Sequence, residues 1–465
     1  MDFTIMDRHR AFMFLCVAMA FLLMQSFMLC LATPVPIDSC RAWALRYNKA
    51  LRVSDEVVQQ NSYLRRAARG AYLPAIDFTG ADFYNQKSIH LVDVDNLRTL
   101  ISGLGVSASW VAELLPDDFL ELDTHNVALG AVTVVQPLYM GGRILALNDM
   151  AKCAEQLAHS QRNLTETEVV KLVDDAYWVV VSLEYKQQLA HSYVALVAKL
   201  YNDMTALITE GLATQSEGLA VAVAKNEADV MLTKAQNSLV LARMLLAQLC
   251  GLPLDTVLEL QDVATTPIEP GLLEPYTLSD VYKRRPEVRS LHILCNMAHA
   301  QQRLALSSML PSIAIVGMYS FATPNFYNGF QTSFDGMFSI GAMIQVPIFH
   351  WGTDYYRYKA ARCAVTIANI ELDAAKERIA LQVSEARYRY DEAGKVYRLC
   401  VNNSEQAQLN LRNAQYAFEE GVFTYTQLMA AQTAWRQAQS ELIDARIAVS
   451  VTYDDYAKAV GLSFY

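Results

Sequence analysis

Two stretches of this chain lack almost every residue that ordinarily interrupts a helix. From Arg143 to Glu210 there is neither Gly nor Pro, and from Thr353 to Glu420 the one exception is Gly394. Proline removes an amide donor and clashes with the turn before it, and glycine loosens the backbone. Their absence over about 68 residues predicts unbroken helices, each about 100 Å long. In the first stretch Val173, Ala176, Val180, Leu183, Gln187, Ala190, Val194, Val197, Tyr201, Met204 and Ile208 advance by three and then four, and only Gln187 is polar. The same steps displaced by 210 residues run from Val383 through Tyr390, Tyr397 and Leu411 to Phe418. Both are coiled-coil seams.

The displacement extends beyond the seams. Without a gap, Pro137 falls on Pro347, Gly142 on Gly352, Cys153 on Cys363, Glu210-Gly211 on Glu420-Gly421, Thr214 on Thr424 and Gly251-Leu252 on Gly461-Leu462. Upstream the offset becomes 237, where Leu73-Pro74 meets Leu310-Pro311, Arg66 meets Arg303 and Asn48-Lys49 meets Arg285-Pro286. The chain is therefore a tandem repeat. The change of offset places an insertion in residues 85–125, a loop of about 40 residues against about a dozen at 323–333 in the second copy, and insertions collect in exposed loops.

Each copy has the same expected parts. Repeat 1 occupies 33–252, with strands about 71–84 and 126–139, a long helix 143–210 and a return helix 214–250. Residues 253–276 form a linker. Repeat 2 occupies 277–465, with strands about 311–322 and 334–349, a long helix 353–420 and a return helix 424–460. Gly211 and Gly421 can cap the long helices in the left-handed conformation, and Thr214 and Thr424 can cap the returning ones. A leading helix, about 38–69 or 277–308, opens each copy. Stacked on the shorter return helix, roughly 50 Å on 50 Å, it equals the long one. The strands alternate apolar with polar or small residues and are long enough to cross a bilayer when tilted, although a soluble sheet would alternate in the same way.

The N-terminus reads as a secretory signal. Arg8-His9-Arg10 precedes an apolar run from Ala11 to Leu31, with cleavage expected near Ala32 so that 1–32 is removed; an uncleaved anchor is the alternative. Of the cysteines beyond it, Cys40, Cys153, Cys250, Cys295, Cys363 and Cys400, none forms a CxxC. They read as free, packed thiols rather than disulfides or ligands. His292 and His299 could share a helix face but lack a further ligand, so no metal or other cofactor is expected. A net charge of −10 without a basic tract excludes nucleic acid as a partner. No nucleophile elbow, phosphate loop or paired carboxylates suggest an enzyme; Asp174-Asp175 and Asp454-Asp455 read as solvated helix faces.

Gly70-Ala71-Tyr72-Leu73-Pro74, its echo at Leu310-Pro311, Val346-Pro347-Ile348-Phe349 and above all Ala417-Phe418-Glu419-Glu420-Gly421-Val422-Phe423-Thr424-Tyr425 resemble the TolC-type outer-membrane efflux protein family. The resemblance covers essentially the mature chain. It implies a mainly helical fold with a membrane β-barrel, and a homotrimer forming a twelve-stranded barrel in outer-membrane lipid above a twelve-helix periplasmic tube. Four strands alone leave an open edge, which lipid does not tolerate.

The function implied is the exit channel of a tripartite efflux or secretion system. It would be a passive conduit coupled to an inner-membrane pump through a periplasmic adaptor (a membrane fusion protein). The resemblance carries adaptor contact onto the tips at Gly211, Leu212, Thr214, Gly421, Val422 and Thr424, where a pure turn requirement would select the same glycines and threonines. It carries a periplasmic aperture onto Glu217, Tyr425 and Gln427. Family members often have acidic residues just past the second turn, and this chain has Gln427 and Ala430 there, so Glu217 either lines the mouth or is a solvated charge. The rival reading is a signal-anchored periplasmic coiled-coil scaffold.

Overall fold

A computed structural model describes residues 34–86, 89–90, 96, 99–100, 103, 121–122, 124–256, 258–261, 276–325 and 335–462. The signal segment 1–32, most of the inserted loop, most of the linker and residues 326–334 lie outside them. In chain order the elements are α1 Ile37–Tyr47, α2 Lys49–Gly70, β1 Ala75–Tyr84, β2 Ile89–His90, β3 Glu121–Leu122, β4 Asn126–Met140, α3 Arg143–Thr209 and α4 Gln215–Leu249. The second copy continues with α5 Leu278–Arg284, α6 Pro286–Ser307, β5 Ser312–Thr323, β6 Asp335–Gln345, α7 Thr353–Glu419 and α8 Tyr425–Val460. No helix among the described residues is long and apolar enough to cross a membrane.

The chain divides into two compact units, one of Met1–Val58, Ala158–Leu291 and Glu371–Tyr465, the other of Gln59–Leu157 and His292–Ile370. The second unit holds an antiparallel sheet in the order β1-β4-β5-β6. Its register sorts the side chains into two faces. Phe78, Val132, Tyr319 and Phe338 align across the four strands, as do Ile76, Val134, Gly317 and Ile340. One residue along, Asp77, Thr133, Met318 and Ser339 align on the opposite face. Successive residues of a strand point to opposite faces, so one face is largely aromatic and aliphatic while the other carries the polar and small residues. At one level Gly80, Gly130 and Gly336 flank Phe321. A Cβ on Gly130 would lie 2.2 Å from the Phe321 ring. That ring also stacks on Phe78 with centroids 6.2 Å apart. β6 stops at Gln345, ahead of Pro347, which has no amide to give a ladder.

In the other unit the seam read from sequence is the packing surface. None of its residues in α3 or α7 is exposed; Val173, Val180, Val197, Tyr390, Leu411 and Ala414 are fully buried or nearly so. Small and β-branched residues along a 3–4 stripe let helices approach closely, and each buried aliphatic side chain contributes about 1.5–3 kcal/mol.

The leading helix of each copy is two helices rather than one, broken at Asn48 and Arg285, whose ψ angles of 131° and 118° are extended. Proline at 286 disfavours the helical conformation at Arg285. Asn48 is held instead by its own side chain, whose Oδ1 accepts from the Ala50 amide at 2.8 Å and caps α2. Both break residues then reach the end of a return helix. Asn48 Nδ2 donates to the Leu249 carbonyl at 2.9 Å, and Arg285 Nη1 donates to the Lys458 and Ala459 carbonyls at 3.3 and 3.2 Å. Leu249 and Ala459 are themselves 210 apart. The orphan carbonyls of each C-terminus are thus met by the leading helix of the same copy. The caps at Gly251 and Gly461 have φ of +73° and +78°, and a Cβ there would strike Tyr47 or Arg284 at 2.6 and 2.9 Å.

Asp174 and Asp454 are not on solvated faces as the sequence suggested. They are 2% and 8% exposed, gathered around Arg41 of α1. Arg41 Nε and Nη2 donate to both oxygens of Asp174 at 2.7 and 3.0 Å, and Trp178 Nε1 donates to Asp454 at 3.0 Å. Lys171 bridges Asp175 and Asp455 at 2.6 Å each. Arg41 is far from both carboxylates in sequence, which is why the charges looked solvated. Burial alone would lower the Arg41 guanidinium, yet Asp174 and Asp454 hold it above its ordinary range. Burial raises both carboxyls, Asp174 against the opposing effect of Arg41, and pushes Asp454 up to about 6.

A carboxyl raised in the folded state binds its proton more tightly there than in the unfolded chain, so its stabilising effect is full at low pH and is lost as pH rises through about 6. Lowering pH from 7 to 5 should raise the thermal midpoint of the purified protein, with Asp454 contributing about 1.4 kcal/mol over that interval and about 3 kcal/mol only once pH falls below its unfolded value. Asp454→Asn, which still accepts from Trp178, should shrink that rise, leaving the part due to Asp174. Equal rises in both proteins would refute this origin.

Candidate functional site

The two long hairpins turn through the same device. Gly211 and Gly421 take φ of +75° and +69°, which a side chain with a Cβ rarely adopts. The Leu212 amide then bonds the Leu207 carbonyl at 2.8 Å and the Gly211 amide bonds Ile208 at 3.0 Å. Val422 to Ala417 and Gly421 to Phe418 repeat both bonds at the same distances. This is a Schellman cap, and it leaves the residue after the glycine at the outside of the turn. Leu212 and Val422 are 76% and 73% exposed there.

A reciprocal capping box follows each Schellman cap. Thr214 Oγ1 accepts from the Glu217 amide at 3.3 Å, and Glu217 Oε2 accepts from the Thr214 amide at 2.8 Å. Thr424 and Gln427 make the same exchange at 3.4 and 2.8 Å. Hydrogen bonds from the Thr214 amide and hydroxyl hold the Glu217 carboxyl below its usual range. The sequence assigned Thr214 and Thr424 as caps but read Glu217 and Gln427 only for an aperture. The signal for their engagement in the cap was the T-x-x-E and T-x-x-Q spacing.

Each predicted tip trio, Gly211, Leu212, Thr214 and Gly421, Val422, Thr424, falls within one four-residue turn. Tyr425 differs from its neighbours in pointing into the packing between hairpins, where it joins Leu200, Met204, Val221, Leu411 and Leu428. Burial raises its phenol, and Tyr193 and Glu227 add to the effect. The tips are not equivalent behind the turn. Ile208 lies over Gly218, whereas the matching Leu428 is itself buried.

The first hairpin is also tied to the second by charge. Lys186 pairs with Asp444 at 2.6 Å and Lys199 with Glu419 at 3.7 Å. Arg436 and Arg446 of α8 sit over the rings of Tyr193 and Tyr185 of α3, each 5.6 Å from the centroid. The hydrophobic seam had a sequence signature; these cross-hairpin pairs had none. Among the described residues no group of three or more His, Cys, Asp or Glu could hold a metal ion.

The profile of the outer membrane efflux protein family matches residues 43–252 and 277–461. No curated protein sequence matches the chain. Several solved structures share its fold. The outer membrane protein VceC of Vibrio cholerae has a TM-score of 0.73 at 14% identity, over 92% of this chain and 97% of that one. The MtrE outer membrane channel of Neisseria gonorrhoeae, solved in an open state, gives 0.70 at 18% over 92% and 89%. The CmeC outer membrane channel of Campylobacter jejuni gives 0.73 at 13% over 91% and 85%. The two stretches of the family match end at the return-helix glycines, Leu252 beside Gly251 and Gly461 itself, and together they take in both hairpins and the sheet. This chain belongs to the outer membrane efflux protein family.

Proposed function

We propose that this protein is the outer-membrane exit duct of a tripartite efflux system, and that its two hairpin turns form the surface that meets a periplasmic adaptor. The observation that carries the duct is the sheet. Its edge strands β1 and β6 expose Ile76, Phe78, Phe338 and Ile340 on one face, and four long strands make up the sheet among the described residues. An open edge leaves amides and carbonyls unpaired, which lipid penalises by several kcal/mol per group. Joining β6 of one copy to β1 of the next removes the edges, and three copies close twelve strands with the apolar face outward. The tube is passive; the driving force comes from an inner-membrane pump.

The adaptor reading rests on Leu212 and Val422. A turn needs its glycine and its capping threonine, and neither need explains a large exposed aliphatic residue at the apex of both turns. The closable mouth belongs to the same end, with Tyr425 as the residue whose burial must change when hairpins repack, and Glu217 and Gln427 holding the turns rigid as they move. Opening then means separating α8 from α3, at the cost of the Lys186–Asp444 pair and the two cation–π contacts.

A planar-bilayer recording of the purified trimer should show discrete conductance, and the protein should resist carbonate extraction from outer membranes; release by carbonate would sink the duct. A photo-crosslinking residue at position 212 or 422 should capture a periplasmic protein of adaptor size. Leu212→Asp with Val422→Asp should abolish efflux while trimer yield is kept. Thr214→Ala and Thr424→Ala supply the contrast. Each should cost about 1 kcal/mol through the lost cap and leave capture at 212 and 422 intact, whereas loss of capture in these variants alone would mean that the turns serve only themselves. Lys186→Cys and Asp444→Cys joined by a short bis-maleimide should block transport, and full transport through verified cross-linked trimers would place the moving parts elsewhere.

A further inference from the structure

Two cysteines from opposite ends of repeat 1 meet in the unit that holds the long seams. Cys40 lies in α1, and Cys250 is the cap residue that ends α4. Both are fully buried, in one apolar cluster with Ala44, Leu246, Ala247 and Val173. The Cys250 thiol donates to the Cys40 backbone carbonyl at 3.6 Å, and both cysteines are free in this structure. The remaining cysteines have other surroundings. Cys153 and Cys400 are perturbed by burial and by Asp149 and Glu441 respectively, Cys295 donates to the Ala368 carbonyl, and Cys363 is exposed.

We propose that Cys40 and Cys250 are joined by a disulfide in the exported protein. Nothing about the pair requires thiols. Packing alone would be served by any small apolar residue, and the second copy shows this: the position matching Cys250 is Val460, and that matching Cys40 is Thr277, the N-cap of α5. The pair is therefore particular to repeat 1, where the need for a staple is also particular. α5 is held by chain on both sides, but α1 follows directly on the segment expected to be removed, and it carries Arg41, which neutralises Asp174. Undocking α1 would leave that carboxylate buried without its cation, so a covalent tie to the end of α4 protects the polar cluster as well as the helix.

The compartment outside the inner membrane supports the chemistry. The thiolate of one cysteine attacks a disulfide of a periplasmic thiol oxidase, forming a mixed disulfide and releasing one oxidant sulfur as a thiol. The second cysteine, deprotonated, attacks its partner's sulfur in that mixed disulfide and expels the other oxidant sulfur. The chain loses two electrons and two protons, and the oxidant gains both. In the folded chain the sulfurs are shielded, and the neighbouring Cys250 side chain together with burial holds the Cys40 thiol far above its ordinary range. Oxidation therefore belongs to folding, before α1 closes over Cys250.

This inference rests on export but not on the conduit reading. The test uses the full chain recovered from the outer-membrane fraction, with N-ethylmaleimide added before lysis and again during denaturation without reductant. Peptide mapping should find the Cys40 and Cys250 peptides linked, two hydrogens lighter than their sum, with the other four cysteines alkylated. Maleimide on both Cys40 and Cys250 would overturn the disulfide and leave the exit-duct reading standing. As a second measurement, dithiothreitol should lower the thermal midpoint of the native protein but not that of the Cys40→Ala, Cys250→Val variant, which copies the valine of the second repeat. An equal effect of reductant on both would also overturn it.

Discussion

A helix of 67 residues cannot be stabilised by its own propensity alone; it must lie against something along most of its length. In this chain the seam residues of α3 and α7 are buried or half-buried at every step of the 3–4 stripe, and the return helices pack on them. Because neither long helix contains a break, every change of direction is pushed to its ends. There the caps are strict: a left-handed glycine, a Schellman bond and a reciprocal box at one end, and glycines near the sheet at the other.

Much of that was legible. Unbroken helix, seam, turn glycines and capping threonines are local or periodic features, and local features are written in neighbouring residues. The tandem offset was legible because punctuating residues recur. What was lost was of two kinds. The break at Asn48 was hidden because its extended backbone is stabilised by its own side chain and by a carbonyl 201 residues away. The break at Arg285 was signalled by Pro286 and yet read through, since the surrounding residues suit a helix. Asp174 and Asp454 were misread because a carboxylate beside another carboxylate on a helix looks solvated until a distant arginine is known to face it.

The candidate site divides in the same way. The residues of the two turns were found by spacing, and the structure gathers each trio. Glu217 and Gln427 are engaged with the threonines three residues before them, a relation visible in sequence once the box is sought. Tyr425 owes its position to packing between hairpins, and Lys186, Asp444, Arg436 and Arg446 owe theirs to contacts that no short-range pattern encodes. The family match covers both copies.

The joints where the leading helices break hold a less obvious consequence. The two copies solve one geometric problem with different chemistry. At the first joint an uncharged amide grips the end of α4, and at the second a guanidinium grips the end of α8 while pairing with Glu287 at 3.0 Å. Ionic strength weakens charge interactions and leaves amide contacts nearly unchanged. The second joint therefore carries what ionic-strength dependence the two have, and a slight one, since Arg285 is buried and only its partner Glu287 meets solvent.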